Sequence, residues 1–189
     1  MNLTIKARIL FGFALPFVLF VGFTVWLSGQ LGQVKQSMTN VSEQGVQYAL
    51  LATQMEKNVV QIQQFLSDVS ATRAKDGLDD GFDKAKENFD ALNASLGKFE
   101  KHFSDAGDTA SLKQLQDIKS NAATFFATGQ SMAKAYVASG PDGGNKLMGN
   151  FDSASEALQV ALAPFVKAQV AQMQTDVAAS GAKADQFSE

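Results

Sequence analysis

LGQVKQSMTNVSEQGVQYALLATQMEKNVVQIQQFLSDVSATR, residues 31–73, carries apolar or small residues at alternating steps of three and four. Leu31, Val34, Met38, Val41, Gly45, Tyr48, Ala52, Met55, Val59, Ile62, Leu66 and Val69 fall on one line with the heptad's mean step of about 3.5 residues. A stripe kept up over more than five heptads predicts a long helix with a narrow apolar seam that packs lengthwise against other helices. At about 1.5 Å per residue such a rod is roughly 65 Å long.

Upstream, Lys6 and Arg8 precede residues 9–27, a run of 19 without a charge. A bilayer core of about 30 Å needs about 20 such residues, so residues 9–29 are expected to form a transmembrane helix. Positive charge ahead of the run sets residues 1–8 in the cytoplasm, and Trp26 suits the outer interface. Pro16 is tolerated within a membrane span. A cleaved signal peptide fits less well, since the run is long and Leu27, Ser28 and Gly29 make a poor cleavage site. No turn signal separates the run from the heptads, so the anchor is expected to continue as one helix into a periplasmic bundle of residues 30–189.

Three further seams follow. Leu78, Phe82, Ala85, Phe89, Leu92, Leu96, Phe99 and Phe103 make the second, after a break at residues 74–77 and with Asp79 and Asp80 suited to a helix N-terminus. Asp105, Gly107 and Asp108 form a turn, and Leu115, Ile118, Ala122, Phe125, Gly129, Met132 and Tyr136 continue the pattern. The strongest breaker is residues 139–144, Ser-Gly-Pro-Asp-Gly-Gly. Beyond it run Leu147, Phe151, Ala154, Leu158, Ala161, Phe165 and Ala168, with a kink or bend expected at Pro164. The helices are thus expected at about 30–73, 78–104, 109–139 and 145–187. Short turns force antiparallel neighbours, so the fold class is all-α: an N-terminal transmembrane helix continuous with an up-down-up-down four-helix bundle. Its last helix heads back to the bilayer, as in the front portion of a longer polypeptide.

Composition narrows the chemistry. A net charge of −3 with mixed signs gives no basic stripe, so nucleic acid is not an expected partner. With no cysteine and one histidine, thiolate metal sites, thiol catalysis, covalent haem attachment and a serine–histidine–carboxylate triad have no residues to work with. The chain is not expected to be an enzyme, to carry a cofactor or to hold a metal. Asp76, Asp79, Asp80 and Asp83 suggest a calcium loop, but Leu78 occupies a ligand position and helix-start carboxylates explain them more simply. His102 reads as a surface residue near a helix end.

Two stretches carry a resemblance. Residues 59–73, VVQIQQFLSDVSATR, and residues 140–148, GPDGGNKLM, resemble segments of the four-helix-bundle sensor family of bacterial methyl-accepting chemotaxis proteins. The architectural likeness covers essentially the whole chain. It implies an inner-membrane homodimer, a ligand pocket between helices near the membrane-distal end, and signalling by small displacement of the fourth helix. It also implies a second span, a HAMP linker and a methylated cytoplasmic hairpin, none of which is in this sequence. Related bundles front histidine kinases and diguanylate cyclases, and a membrane-anchored structural scaffold is the remaining alternative.

The candidate ligand-binding residues lie at the end of the first helix. Asn58, Gln61, Gln64, Asp68 and Thr72 follow one another by three or four, along one helical face beside the seam. Arg73 takes the next seam position, where a guanidinium could offer a fork of donors to a carboxylate or oxyanion. The partner would be a small-molecule ligand or a periplasmic binding protein. The plainer alternative makes these solvated polar positions at a bundle tip, with Arg73 paired to Asp68 or Asp76.

Overall fold

The computed structural model describes residues 18–26, 28–29 and 45–185, with side chains through residue 182. Among them every regular element is helical and there is no strand. The chain divides into two compact units, one of residues 45–174 and one of residues 1–44 with 175–189.

Four long helices run through the first unit: α1, Val46–Thr72; α2, Gly81–Ala106; α3, Thr109–Ser139; and α4, Pro141–Asp185, whose last residues belong to the other unit. A short 3-10 turn, Lys75–Gly77, lies between α1 and α2. Residues 30–44 of the expected first helix lie outside the described residues.

Two helix starts differ from the sequence reading, and each has a local cause. The second begins at Gly81 rather than 78, because the 3-10 turn ends by bonding the Leu78 N–H to the Lys75 carbonyl, and Leu78 is left 53% exposed. The fourth begins at Pro141 rather than 145. Gly140 ends α3 with φ 62°, and proline suits the first helical position, where no N–H is needed. Gly143 and Gly144, read as breakers, are helical.

The third seam is buried in full, from Leu115 to Tyr136. On α1 the line is buried from Ala52 to Val69, and on α2 Ala85, Leu92, Leu96, Phe99 and Phe103 are buried with Phe82 and Phe89 against them. The α4 seam drifts. Phe151, Ala154, Leu158 and Phe165 are buried, but Leu162 and Val166 take the places expected of Ala161 and Ala168. A straight helix advances about 3.6 residues per turn, so a strict 3.5 reading slips round its surface within two heptads. The helix also continues through Pro164, which is exposed.

One core joins the four helices. The end of α1 meets the start of α2, where a Cβ on Gly81 would lie 2.6 Å from the Val69 Cγ2 and 2.8 Å from the Phe65 carbonyl. The start of α1 meets the end of α2, with Tyr48 5.2 Å from Phe99 and 4.2 Å from His102, centroid to centroid. His102 is therefore half-buried among rings rather than a plain surface residue. Phe89 stacks on Phe126 of α3 at 4.2 Å, and Phe125 stacks on Phe151 of α4 at 5.1 Å. Phe165 stands edge-on to Phe99 at 4.8 Å. Of these rings Phe99, Phe125, Phe151 and Phe165 are buried, and each contributes about 1.5–3 kcal/mol of transfer free energy.

In the second unit, residues 18–26 are helical and present Val18, Leu19, Phe20, Phe23, Val25 and Trp26 at the surface. No helix among the described residues is long and apolar enough to cross a membrane. Residues 9–17 of the expected span lie outside them.

Candidate functional site

The six residues singled out by spacing go to four different places. Asn58 is 2% exposed, its Oδ1 accepting from Gln54 Nε2 at 2.9 Å while its Nδ2 has no partner. Gln61 Nε2 donates to Gln64 Oε1 at 3.2 Å, so these two amides satisfy each other at the surface. Asp68 and Thr72 line a cavity of about 310 Å³ where the end of α1 meets the start of α2. Arg73 turns away to the end of α3.

The cavity at the tip is built by the Gly81 contact. With no side chain there, the backbone of α2 lies directly on Phe65 and Val69, and Phe65, Val69 and Gly81 all border the cavity. Phe65, Leu78, Asp80 and Lys84 complete its polar and apolar walls. Lys84 Nζ pairs with Asp80 Oδ2 at 2.5 Å and stands 5.6 Å from the centre of the Phe65 ring. The hydrogen bond from Lys84 to Asp80, and then the charge of that carboxylate, raise the ammonium's pKa above its ordinary 10.5. Asp68 is exposed and makes no ion pair among the described residues. Thr72 Oγ1 donates to the Asp68 carbonyl at 2.9 Å, the usual back-bond of a helical threonine. The site can thus offer a free carboxylate, a hydroxyl oxygen and a paired ammonium to a small solute.

The corner beside it is tightly organised. Arg73 ends α1 in the left-handed region, φ 56°, followed by Ala74 at 51° and Asp76 at 55°. That reversal carries the Arg73 guanidinium across to α3, where Nε donates to the Tyr136 carbonyl at 3.2 Å. The same carbonyl accepts from the Gly140 N–H at 2.8 Å. The guanidinium lies where a Cβ on Gly140 would be 3.2 Å away, and Tyr136 Oη donates to Asn145 Oδ1 at 2.5 Å. Arg73 therefore meets neither Asp68 nor Asp76.

The chain matches no protein-family model, no curated protein and no solved structure. The site's chemistry rests on the geometry alone.

Among the described residues no three His, Asp or Glu side chains gather as a metal site, so Asp76, Asp79, Asp80 and Asp83 do not form one. Spacing missed Phe65, Asp80, Gly81 and Lys84. Asp80 and Lys84, four apart at a helix start, were the legible part of that group, since such a pair faces one way. The cavity itself depends on how the end of α1 meets the start of α2, which no periodicity encodes.

Proposed function

We propose that this chain is the ligand-sensing periplasmic module of a transmembrane chemotaxis receptor, built as an anchored up-down-up-down antiparallel four-helix bundle. The observation that carries the reading is the tip cavity bordered by Asp68 and Thr72, one residue from the corner where Arg73 joins α1 to α3 and the start of α4. A solute held there contacts the end of α1, Arg73 extends that contact to Tyr136 at the end of α3, and the Tyr136 hydroxyl passes it to Asn145 on α4, the helix that would carry the signal. The contacts between successive helices, and the apolar side chains exposed on residues 18–26, support the bundle and its anchor.

Ligand acts in this reading by binding two positions of α4 with different affinity, and it shifts their populations by no more than that difference. The homodimer, the inner-membrane setting with the N-terminus in the cytoplasm, and a small solute or binding protein as partner belong to the same proposal. The module would serve a histidine kinase or diguanylate cyclase equally well.

The test is to join the full chain to the signalling half of a characterised receptor and screen solutes by kinase output and thermal shift. A solute that changes both, with Asp68→Ala and Arg73→Ala weakening its affinity and the output, supports the proposal. Unchanged affinity and output in both variants would remove the tip site, and a screen in which no solute changes either readout would remove the sensor reading and favour the scaffold.

A further inference from the structure

A second cavity, of about 290 Å³, lies between α1 and α4 at the middle of the bundle. Its apolar surface comes from Val59 and Leu162, both buried, with Val60 and Ala163 beside them. Its polar groups are Glu56, Gln63 and Gln159. On each helix the lining positions recur by three and four, so both helices turn one face to the space.

The polar groups are held in order. The buried Ser155 hydroxyl, 4% exposed, donates to Gln63 Oε1 at 3.4 Å and accepts from Gln159 Nε2 at 3.1 Å. One hydroxyl thus commits the carbonyl of Gln63 and the amino group of Gln159. It leaves the Gln159 Oε1 to accept and the Gln63 Nε2 to donate. Glu56 makes no ion pair among the described residues. Among the described residues it is the only charged one lining the cavity.

We propose that this cavity binds a small organic cation, a protonated primary amine on a short aliphatic body. The ammonium is taken by the Glu56 carboxylate and the free Gln159 carbonyl, and the body lies on Val59 and Leu162. An anion would meet Glu56 with no cation to offset it, and an uncharged alcohol would leave that carboxylate unused. Among the described residues no aromatic ring lines the space, so a flat aromatic amine gains nothing there beyond its area. The site bridges α1 and α4. Pro164, one residue past Ala163, has no N–H to bond the Val160 carbonyl, so α4 is least tied to itself beside the ligand. The inference goes beyond the sensor reading, since it places a second site away from the tip.

The probe is butylammonium, titrated against the full chain in lipid nanodiscs with methyl-labelled valine and leucine, and with 1-butanol and butyrate as controls. Five heavy atoms allow a Kd of the order of millimolar. We expect saturable shifts of the Val59, Val60 and Leu162 methyls with the amine. Glu56→Gln, at an exposed position, should weaken them about 10-fold, the size of a charge-assisted hydrogen bond. Ala163→Leu, which narrows the space, should weaken them while Asp68→Asn leaves them unchanged. Equal binding of butanol, or no effect of Glu56→Gln, would overturn the amine site. Amine shifts confined to Val69 and Leu78, which line the tip cavity, and lost in Asp68→Asn would also overturn it, while leaving the tip cavity and the sensor reading standing. No amine binding at either place would overturn this inference alone, because the sensor reading is decided by the solute screen.

Discussion

The Arg73 Nε–H donates to the Tyr136 carbonyl at 3.2 Å, joining residues 63 positions apart at the corner where α1, α3 and α4 meet. A cation here faces the negative end of α3, whose last carbonyls have no partners within the helix. The bond is charge-assisted and half-buried, so its loss should be measurable. We expect Arg73→Ala to lower unfolding free energy by about 1–2 kcal/mol in denaturant titration. Arg73→Lys should recover only part, because an ammonium lacks the planar fork that reaches over Gly140. A loss within error of zero would make the corner a consequence of packing rather than a cause of it.

The same turn holds three residues other than glycine at positive φ: Arg73, Ala74 and Asp76. In that region Cβ crowds the following carbonyl, at about 1–2 kcal/mol for each residue. Ala74 carries only a methyl group, half-buried against the core, so replacing it sets the backbone effect against the loss of that one contact. Ala74→Gly should raise stability by about 1 kcal/mol less the entropy glycine adds to the unfolded chain. A lower midpoint in the glycine variant would mean that the half-buried methyl packs better than the backbone is strained.

Much of the helical layout was legible, and the site was not, for one physical reason. Burial repeats with the helix, so the seam from Leu115 to Tyr136 could be read off the sequence and is buried residue for residue. Helix starts depend on single turns, and there proline overrode its reputation as a breaker by taking the first position of α4. The face from Asn58 to Thr72 was legible as a line of polar residues but not as a site. Which members of such a line meet depends on the neighbouring helix. Asn58 is covered, Gln61 and Gln64 pair together, and only Asp68 and Thr72 reach the cavity. The reach of Arg73 to Tyr136 depends on a left-handed turn in residues that seldom adopt one, a signal absent from composition and spacing alike.

Two helical glycines test the packing from opposite sides. Gly129 sits in the α3 seam, where a Cβ would lie 2.6 Å from the Phe151 ring and 2.7 Å from Leu66 Cδ1. Gly97 lies exposed on α2 with nothing within 4 Å of its Cβ position. Gly97→Ala should therefore stabilise by about 0.5–1 kcal/mol, the difference in helix propensity. Gly129→Ala should destabilise by about 1–3 kcal/mol as an overpacked core position. Thermal melts of the two variants should move in opposite directions, and a shared direction would refute the close approach of α3 to α4.

Asp108 caps α3, its Oδ1 accepting from the Ser111 N–H at 3.0 Å and its Oδ2 from the Ser111 hydroxyl at 2.6 Å. The hydroxyl bond, then the backbone bond, lower the carboxyl's pKa below its ordinary 3.8. A carboxylate favoured in the folded state contributes stability above the unfolded value, and that contribution drains away as pH falls through the lowered one. Asp108→Ala should thus be less stable than the native chain at neutral pH, with the gap narrowing below the ordinary carboxylate pKa. Asp108→Asn caps without a titrating group, so its stability relative to the alanine variant should stay level over the same range. Other carboxylates titrate there too, and for that reason the differences between variants, followed by denaturant titration at several pH values, carry the test. A gap between native and alanine chains that stays constant down to strong acid would show that the charge on Asp108 has no part in the cap.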